Sequence, residues 1–274
     1  MIINIPHFYL NIAGYYIEIN IQNIKQKIVQ KKITQSIFSY YKGFFLRTNI
    51  PNKADFKIVF IYDEKPSIIM NKTTKLKYIF YYKIRNKTAY CSYRISMLQL
   101  ELVLHNILHN LLKTSGIILH SSSVCIKNKA YLFTGRPGIG KSTIMKILSS
   151  KYQPIADDSI IIKKENNYYY CYQTPFIESN SFFNKNKEKF EIGKIFFPRK
   201  STENRIIQQK NNTYNLDRII TQTFIFYKKI GLNKENVVNK INFISEFVRI
   251  FKNEFYILYF SKQKRKLLQF FETI

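Results

Sequence analysis

The N-terminal part of the chain alternates apolar and polar residues over short runs, which is the pattern of half-buried strands. Asn86, flanked by Arg85 and Lys87, separates the last two runs and favours a hairpin turn. We therefore predict a small β-rich domain over residues 1–96. Its predicted strands are Tyr15–Gln22, Phe56–Tyr62, Leu76–Ile84 and Thr88–Ile95.

The hydrophobic period changes at Met97, where leucine and isoleucine begin to recur at the spacing of a helix. Residues 97–115 are predicted to form a buried connecting helix that ends at a Thr-Ser-Gly turn. Residues 116–274 then alternate strand and helix patterns, which predicts a mixed α/β domain. The predicted strands are a pair turning at Lys127-Asn128-Lys129 and runs over 153–164, Asn166–Gln173, 191–200 and Glu254–Phe260, with Pro198 ending the run over 191–200. The predicted helices are Gly140–Lys151, Leu216–Lys228 and Val237–Lys252, and Ser179–Lys189 is predicted to be a polar loop.

The composition narrows the possible functions. Of the 274 residues, 46% are hydrophobic, which is ample for a buried core. A net charge of +27 would suit a nucleic-acid ligand, but the excess Lys and Arg is spread along the whole chain, so we expect no specific nucleic-acid partner. Three scattered cysteines do not suit a disulfide framework or a zinc site. No apolar run reaches the length of a membrane span, and we expect a cytoplasmic protein.

A phosphate-binding motif is the most specific signal in the sequence. The segment Gly135–Ser142 matches G-x-x-x-x-G-K-[ST], with a β-rich run before it and a helical pattern after it. In such a loop the backbone N–H groups and the helix N-terminus attract phosphates, the lysine reaches the β- and γ-phosphates, and the serine hydroxyl binds Mg²⁺. The alternative is an ordinary glycine-rich turn. The predicted nucleotide-binding residues are Gly135, Arg136, Pro137, Gly138, Ile139, Gly140, Lys141, Ser142 and Thr143.

Two adjacent acids, Asp157 and Asp158, follow the motif between apolar residues. Because neighbouring residues of a strand point to opposite sides, the two carboxylates can take different roles, one on Mg²⁺ and one as a general base. A turn with an Asx hydrogen bond is the simpler explanation for the pair alone. His120 precedes the motif, and a hairpin could return it to the phosphates; a core or strand-end histidine is the alternative.

Three segments in this order resemble a known family. LHSSSV (Leu119–Val124), FTGRPGIGKST (Phe133–Thr143) and IADDSIII (Ile155–Ile162) are similar to the kinase domain of HPr kinase/phosphorylase. They are more similar to the HPr-kinase-related proteins, some of which occur with peptide-modification systems and act on serine hydroxyls. The resemblance covers residues 116–175. It implies an α/β fold related to phosphoenolpyruvate carboxykinase, with a P-loop kinase domain after a variable N-terminal domain.

The resemblance also implies roles for single residues. Asp157 would be the base that deprotonates a serine hydroxyl, Ser142 and Asp158 would serve Mg²⁺, and His120 falls at the family's histidine position. Thr143 stands where the bifunctional enzymes have an acid. Their later glycine-rich loop with its basic residue is not found, so phosphorylase activity is not implied. Candidate residues to replace its charge are Arg199, Lys200 and Arg205, for which a solvated surface role is the alternative.

The sequence thus predicts a kinase that uses ATP and Mg²⁺ and transfers the γ-phosphoryl group to a serine or threonine hydroxyl of a peptide or small protein. Lys141, Asp157 and His120 are its predicted catalytic groups. One alternative is an ATP-binding regulatory or recognition module of a peptide-modification complex, without transfer chemistry. The other is a P-loop ATPase that acts on nucleic acid. The related enzymes assemble, which leaves a homo-oligomer open.

Overall fold

The computed structural model describes residues 7–21, 27–46, 51–61, 67–70, 77–80, 82–176, 183–225 and 234–274, and all structural statements below concern these residues. Within them the chain combines helices with mixed β-sheets, so the predicted mixed α/β class is confirmed. The chain divides into two compact units, Met1–Leu111 and Leu112–Ile274. No described helix is long and apolar enough to cross a membrane.

The first unit is built on a five-stranded sheet of order β1-β2-β3-β7-β6. Its core lies on that sheet, where Leu10, Ile17, Ile58 and Ala89 are fully buried. The alternation in the sequence explains this, because every second side chain of a strand faces the same side. The elements are β1 (His7–Ile12), β2 (Tyr15–Ile21), α1 (Lys27–Tyr40), a short 3-10 helix (Lys42–Phe44), β3 (Phe56–Ile61), the pair β4 (Ser67–Met70) and β5 (Lys77–Phe80), β6 (Tyr82–Arg85), β7 (Thr88–Ser92) and α2 (Met97–Leu112).

The second unit carries an eight-stranded mixed sheet with helices packed against it. Five of its strands, β8, β11, β12, β13 and β9, pair in a closed ring, because β9 bonds both β13 and β8. The elements are β8 (Gly116–Ile126), β9 (Lys129–Thr134), α3 (Lys141–Leu148), β10 (Gln153–Ala156), β11 (Ser159–Glu165), β12 (Tyr168–Gln173), β13 (Lys189–Lys200), β14 (Arg205–Gln208), α4 (Asn212–Phe224), α5 (Lys234–Ile250), β15 (Phe255–Phe260) and α6 (Lys264–Glu272).

Most predicted elements are present, with instructive differences. The β8–β9 hairpin turns at Lys127 and Asn128, both with positive φ, as the sequence predicted. The segment 153–164 is not one strand, since the two aspartates interrupt it between β10 and β11. Pro198 does not end its strand: β13 runs on to Lys200 beside β15. The proline is tolerated because β9 pairs with β13 no further than Phe196. On that side of Pro198 no neighbouring strand requires the backbone N–H that a proline lacks.

Several elements were not predicted, and one predicted loop lies partly outside the described residues. Strands β1, β4 and β14 and helices α1 and α6 were not among the predicted elements, although Leu267 and Phe271 of α6 are buried at helical spacing. Helix α4 begins at Asn212 rather than Leu216, because Asn211 caps it by accepting a hydrogen bond from the N–H of Tyr214 at 3.0 Å. In the predicted loop Ser179–Lys189, residues 179–182 lie outside the described residues.

Candidate active site

Strand β8 is the junction at which the predicted site residues meet. His120 pairs with Ser159, the first residue of β11, and Ser121 pairs with Thr134, the last residue of β9. The phosphate loop therefore begins beside Ser121 on one side of β8, and the aspartate pair ends beside His120 on the other side. The two features meet at adjacent residues of β8. The Thr134 hydroxyl donates to the carbonyl oxygen of His120 at 2.9 Å, which links the start of the phosphate loop to the backbone of His120.

The phosphate loop connects β9 to α3 and has the backbone that its glycines allow. Gly138 has a φ of 77° and Gly140 a φ of 114°, a region that residues with a Cβ rarely adopt. A Cβ on Gly140 would also run into the ring of Phe260 at the end of β15. The loop is thus seated on the end of the sheet. Arg136, Pro137 and Gly138 are exposed in it, whereas Gly135 is buried and Ile139, Gly140, Ser142 and Thr143 are half-buried.

Lys141 is the first residue of α3, and its side chain is buried against the loop. Its Nζ donates to the carbonyl oxygens of Gly135 at 3.0 Å and Arg136 at 3.3 Å. Burial lowers the pKa of this amine, and the nearby carboxylates of Asp158 and Asp157 act in the opposite direction. The ammonium group therefore contacts the loop carbonyls within the field of the aspartate pair, and its positive charge is what would stabilise a phosphate chain there.

The two aspartates lie in different environments. Asp157 is buried, and its backbone carbonyl accepts a hydrogen bond from the Ser122 hydroxyl at 2.6 Å, with the Asp157 Oδ1 at 3.4 Å from the same hydroxyl. The side chain of Asp158 is 55% exposed, and its Oδ1 lies 3.3 Å from the Nε2 of His120. The break between β10 and β11 is what separates the two carboxylates in this way.

His120 connects the aspartates to helix α4. Its Nε2 faces Asp158, and its Nδ1 lies 3.0 Å from the Oε1 of Gln222, a fully buried residue of α4. The hydrogen bond from His120 is the main reason that the pKa of Asp158 is lowered; its partial burial opposes the shift, and the charges of His120, Lys141 and Lys185 add to it. Asp158 therefore stays ionised near neutral pH.

The donor set fits Mg²⁺ that arrives with a nucleotide. Among the described residues no group of three or more His, Cys, Asp or Glu side chains could hold a metal ion by itself. Mg²⁺ usually takes one or two protein oxygens and completes its shell with phosphate oxygens and water. Ser142 at the start of α3 and the carboxylates of Asp157 and Asp158 are oxygen ligands of that kind.

The basic residues considered for charge neutralisation lie at the ends of β13 and β14. The guanidinium groups of Arg199 and Arg205 lie 5.8 and 4.3 Å from the ring centre of Tyr259, and the Arg199 Nη1 is 3.4 Å from its hydroxyl. Lys200 is exposed as the last residue of β13. The structure therefore gathers Arg199 and Arg205 around one tyrosine, and it adds no contact that assigns Lys200 a role.

Sequence reasoning missed the residues that hold the site together. Ser122 and Thr134 are tied to the site by hydrogen bonds, and their only sequence signal was their place in the two matched segments. Gln222 carried no signal, since it lies in a weakly predicted helix 102 residues from His120.

Comparisons with known proteins add little to this geometry. No family model matches the chain, and no curated protein matches it. Among solved structures, the Hpr(Ser) kinase/phosphatase from Coxiella burnetii is similar, with 18% sequence identity and a TM-score of 0.25. The similarity covers 34% of this chain and 77% of that chain. A likeness of this size carries no argument about function, so the function has to be argued from the site itself.

Proposed function

We propose that the protein is a kinase that uses ATP and Mg²⁺ to phosphorylate a serine or threonine hydroxyl of a peptide or small protein. The observation that carries the proposal is the meeting of three groups at β8: the phosphate loop after Thr134, the aspartate pair before Ser159, and His120 between them. A glycine-rich strand-to-helix loop binds phosphate in many proteins. A carboxylate pair beside it is what hydroxyl activation and Mg²⁺ binding require.

The loop would hold the triphosphate. Its backbone N–H groups and the N-terminus of α3 supply partial positive charge, and Lys141 supplies a full one once its Nζ leaves the carbonyls of Gly135 and Arg136. When bound, Mg²⁺ would neutralise charge on the β- and γ-phosphates. Ser142 and one of the two aspartates would hold it.

The exposure of the two carboxylates supports a change in their assignment. The family resemblance implies Asp157 as the base and Asp158 as the metal ligand. An acceptor hydroxyl arrives from solvent, and the Asp158 side chain is 55% exposed whereas Asp157 is buried. We therefore assign the general base to Asp158 and the metal side to Asp157. The acceptor O–H would give its proton to Asp158 as its oxygen bonds the γ-phosphorus, and the bond from that phosphorus to the leaving ADP oxygen would break with its electron pair on ADP.

Transfer of a labelled γ-phosphoryl group from ATP to serine peptides tests the proposal. Wild type should give labelled phosphoserine, and Asp158→Asn should lower the rate by roughly 10²–10⁴-fold with ATP affinity kept, as expected for loss of a general base. Asp157→Asn should instead weaken Mg²⁺ binding, so that transfer requires a higher Mg²⁺ concentration. ATP binding by the wild type without transfer to any acceptor would favour the regulatory module. Equal transfer by wild type and both variants would refute the role of the aspartates.

A further inference from the structure

Gln222 connects helix α4 to the site. Gln222 is 1% exposed, and its Oε1 is the hydrogen-bond partner of the His120 Nδ1 at 3.0 Å. The other ring nitrogen, Nε2, lies 3.3 Å from the carboxylate of Asp158. We propose that Gln222 is a positioning residue that holds the His120 ring with its Nε2 toward Asp158, so that the Nε2–H donates a hydrogen bond to that carboxylate.

The hydrogen-bonding capacity of each group leads to this conclusion. An ionised carboxylate only accepts, so the Nε2 of His120 must carry hydrogen to bond Asp158. A glutamine side chain offers an acceptor and a donor at nearly the same place. Its oxygen accepts from a protonated Nδ1, and its NH₂ group donates to a bare one. Gln222 therefore matches both the charged and the neutral ring, and in both cases the Nε2–H points to Asp158.

The surroundings make the arrangement rigid. Ile219, one turn before Gln222, is fully buried in the core that also contains Leu119 of β8. The backbone of His120 is fixed by the hydroxyl of Thr134. The ring is thus held at both nitrogens and at its own backbone, and little rotamer freedom remains to be lost when substrate arrives.

The catalytic consequence rests on the proposed kinase function. A base must meet the acceptor hydroxyl in a narrow range of positions, and Asp158 is more than half exposed, so it needs a support. The Nε2–H of His120 supplies that support. Gln222 touches neither the phosphate loop nor the acceptor in this scheme, so its loss should change the chemical step rather than nucleotide binding.

Nitrogen NMR of the histidine rings tests the positioning without any activity. The chain has four histidines, and His120→Gln assigns the signal that disappears. Wild type should show hydrogen on the Nε2 of His120. Gln222→Met, which keeps the length of the side chain but removes both polar atoms, should give a mixture with the Nδ1–H form. A bare Nε2 in the wild type would overturn the proposal even if the variant does not fold, and so would an unchanged ring in a folded variant.

Transfer kinetics test the consequence. Gln222→Met should lower kcat by about tenfold, the size expected when a supporting hydrogen bond is removed, and leave KM for ATP within about twofold. Thr223→Val is the matched control: Thr223 is equally buried in α4, its hydroxyl has no hydrogen-bond partner in the part of the chain that the structure describes, and the change should leave kcat and the His120 signals unaltered. If Gln222→Met gives the expected NMR change but the wild type transfers no phosphoryl group, the positioning of His120 is upheld and the proposed kinase function is refuted. The NMR change with an unaltered kcat would refute the catalytic consequence.

Discussion

The two units differ in what they bury. In the described part of the first unit the core is almost wholly apolar, and the few buried polar residues are Glu18, Ser92, His105 and His109. The second unit buries many more polar side chains, and they concentrate on β8 and its neighbours. This set comprises His120, Ser121, Ser122, Ser123, Thr134, Lys141, Asp157, Ser159, Gln173, Thr174, Asn215, Gln222, Thr223, Lys240 and Ser261.

The buried polar side chains of the second unit lower its stability but fix the positions of the groups around β8. A buried polar group costs free energy unless its hydrogen bonds are replaced, and several of these, such as the hydroxyls of Ser123 and Thr223, have no partner among the described residues. If folding were the only requirement, apolar residues at these positions would make the unit more stable. Local departures from the best folding sequence are expected at functional sites, so the contrast supports the proposal that the second unit carries the chemistry.

The largest expected effect concerns the apolar core of the first unit. Phe60 of β3 is 1% exposed, and Phe60→Ala should cost about 3–5 kcal/mol of unfolding free energy, because it leaves a cavity. Denaturant unfolding measures the loss, and calorimetry should find the ATP dissociation constant of the folded protein within about twofold of wild type. The control is Tyr90→Ala on β7, where the side chain is 41% exposed. A large loss of ATP affinity in Phe60→Ala would break the division of roles.

The next effect concerns a buried amine of the second unit. Lys240 on α5 is 1% exposed, its Nζ donates to the carbonyl of Gly116 at 2.6 Å, and burial lowers its pKa to about 7. Between pH 7 and the ordinary lysine value of 10.5 the unfolded chain holds a proton that the folded chain lacks, so stability rises with pH across that window and the penalty is complete below it.

Lys240→Met should therefore stabilise the protein at pH 6 and much less at pH 10. The difference between the two gains should be roughly 3–4 kcal/mol, measured by denaturant unfolding at both pH values. The exposed Lys234 on the same helix gives the control, since Lys234→Met should show no such dependence. Equal gains at both pH values would contradict the lowered pKa of Lys240.

Alanine substitutions in the phosphate loop should have a smaller effect on stability. They distinguish the cost of the positive φ from the cost of a Cβ that collides with Phe260. Gly140→Ala should cost about 2–3 kcal/mol, because the Cβ adds a collision with Phe260 to an unfavourable backbone, and ATP affinity should fall with it. Gly138→Ala meets no atom within 4 Å and should cost only the backbone term, about 1–2 kcal/mol. Thermal unfolding and calorimetry measure both. Identical losses would mean that the Phe260 contact has no part in seating the loop.

The smallest effect is expected at the surface of the first unit. The Lys57 Nζ lies 3.0 Å from the Glu18 Oε2, with the lysine side chain 53% exposed. Because the Lys57 side chain is exposed and that of Glu18 is only 11% exposed, the pair should contribute about 1 kcal/mol, so Lys57→Met should shift the denaturation midpoint by a corresponding amount, and by less in high salt. ATP affinity should not change. A shift as large as that of Phe60→Ala would show that charge, and not apolar burial, stabilises this unit.

The sequence predicted local features well. The turn at Lys127 and Asn128, the helix after Gly140 and the strand over Phe255–Phe260 follow from residues that are neighbours along the chain. Propensity, turn chemistry and periodicity act over a few residues, so they can be recognised without the rest of the fold. The prediction at Pro198 was wrong, because whether a proline ends a strand depends on which flank is paired, and distant strands decide that.

For the candidate site, the sequence by itself determined which chemistry is available: a loop that can cradle phosphates, a pair of carboxylates and a histidine, in that neighbourhood of the chain. Only the tertiary structure decided how they are arranged. The register of β8 brings the loop and the aspartates to adjacent residues, and the break before Ser159 buries Asp157 while exposing Asp158. Gln222 reaches His120 across 102 residues. Such contacts depend on packing of the whole unit, because no local pattern records which buried side chain will face another.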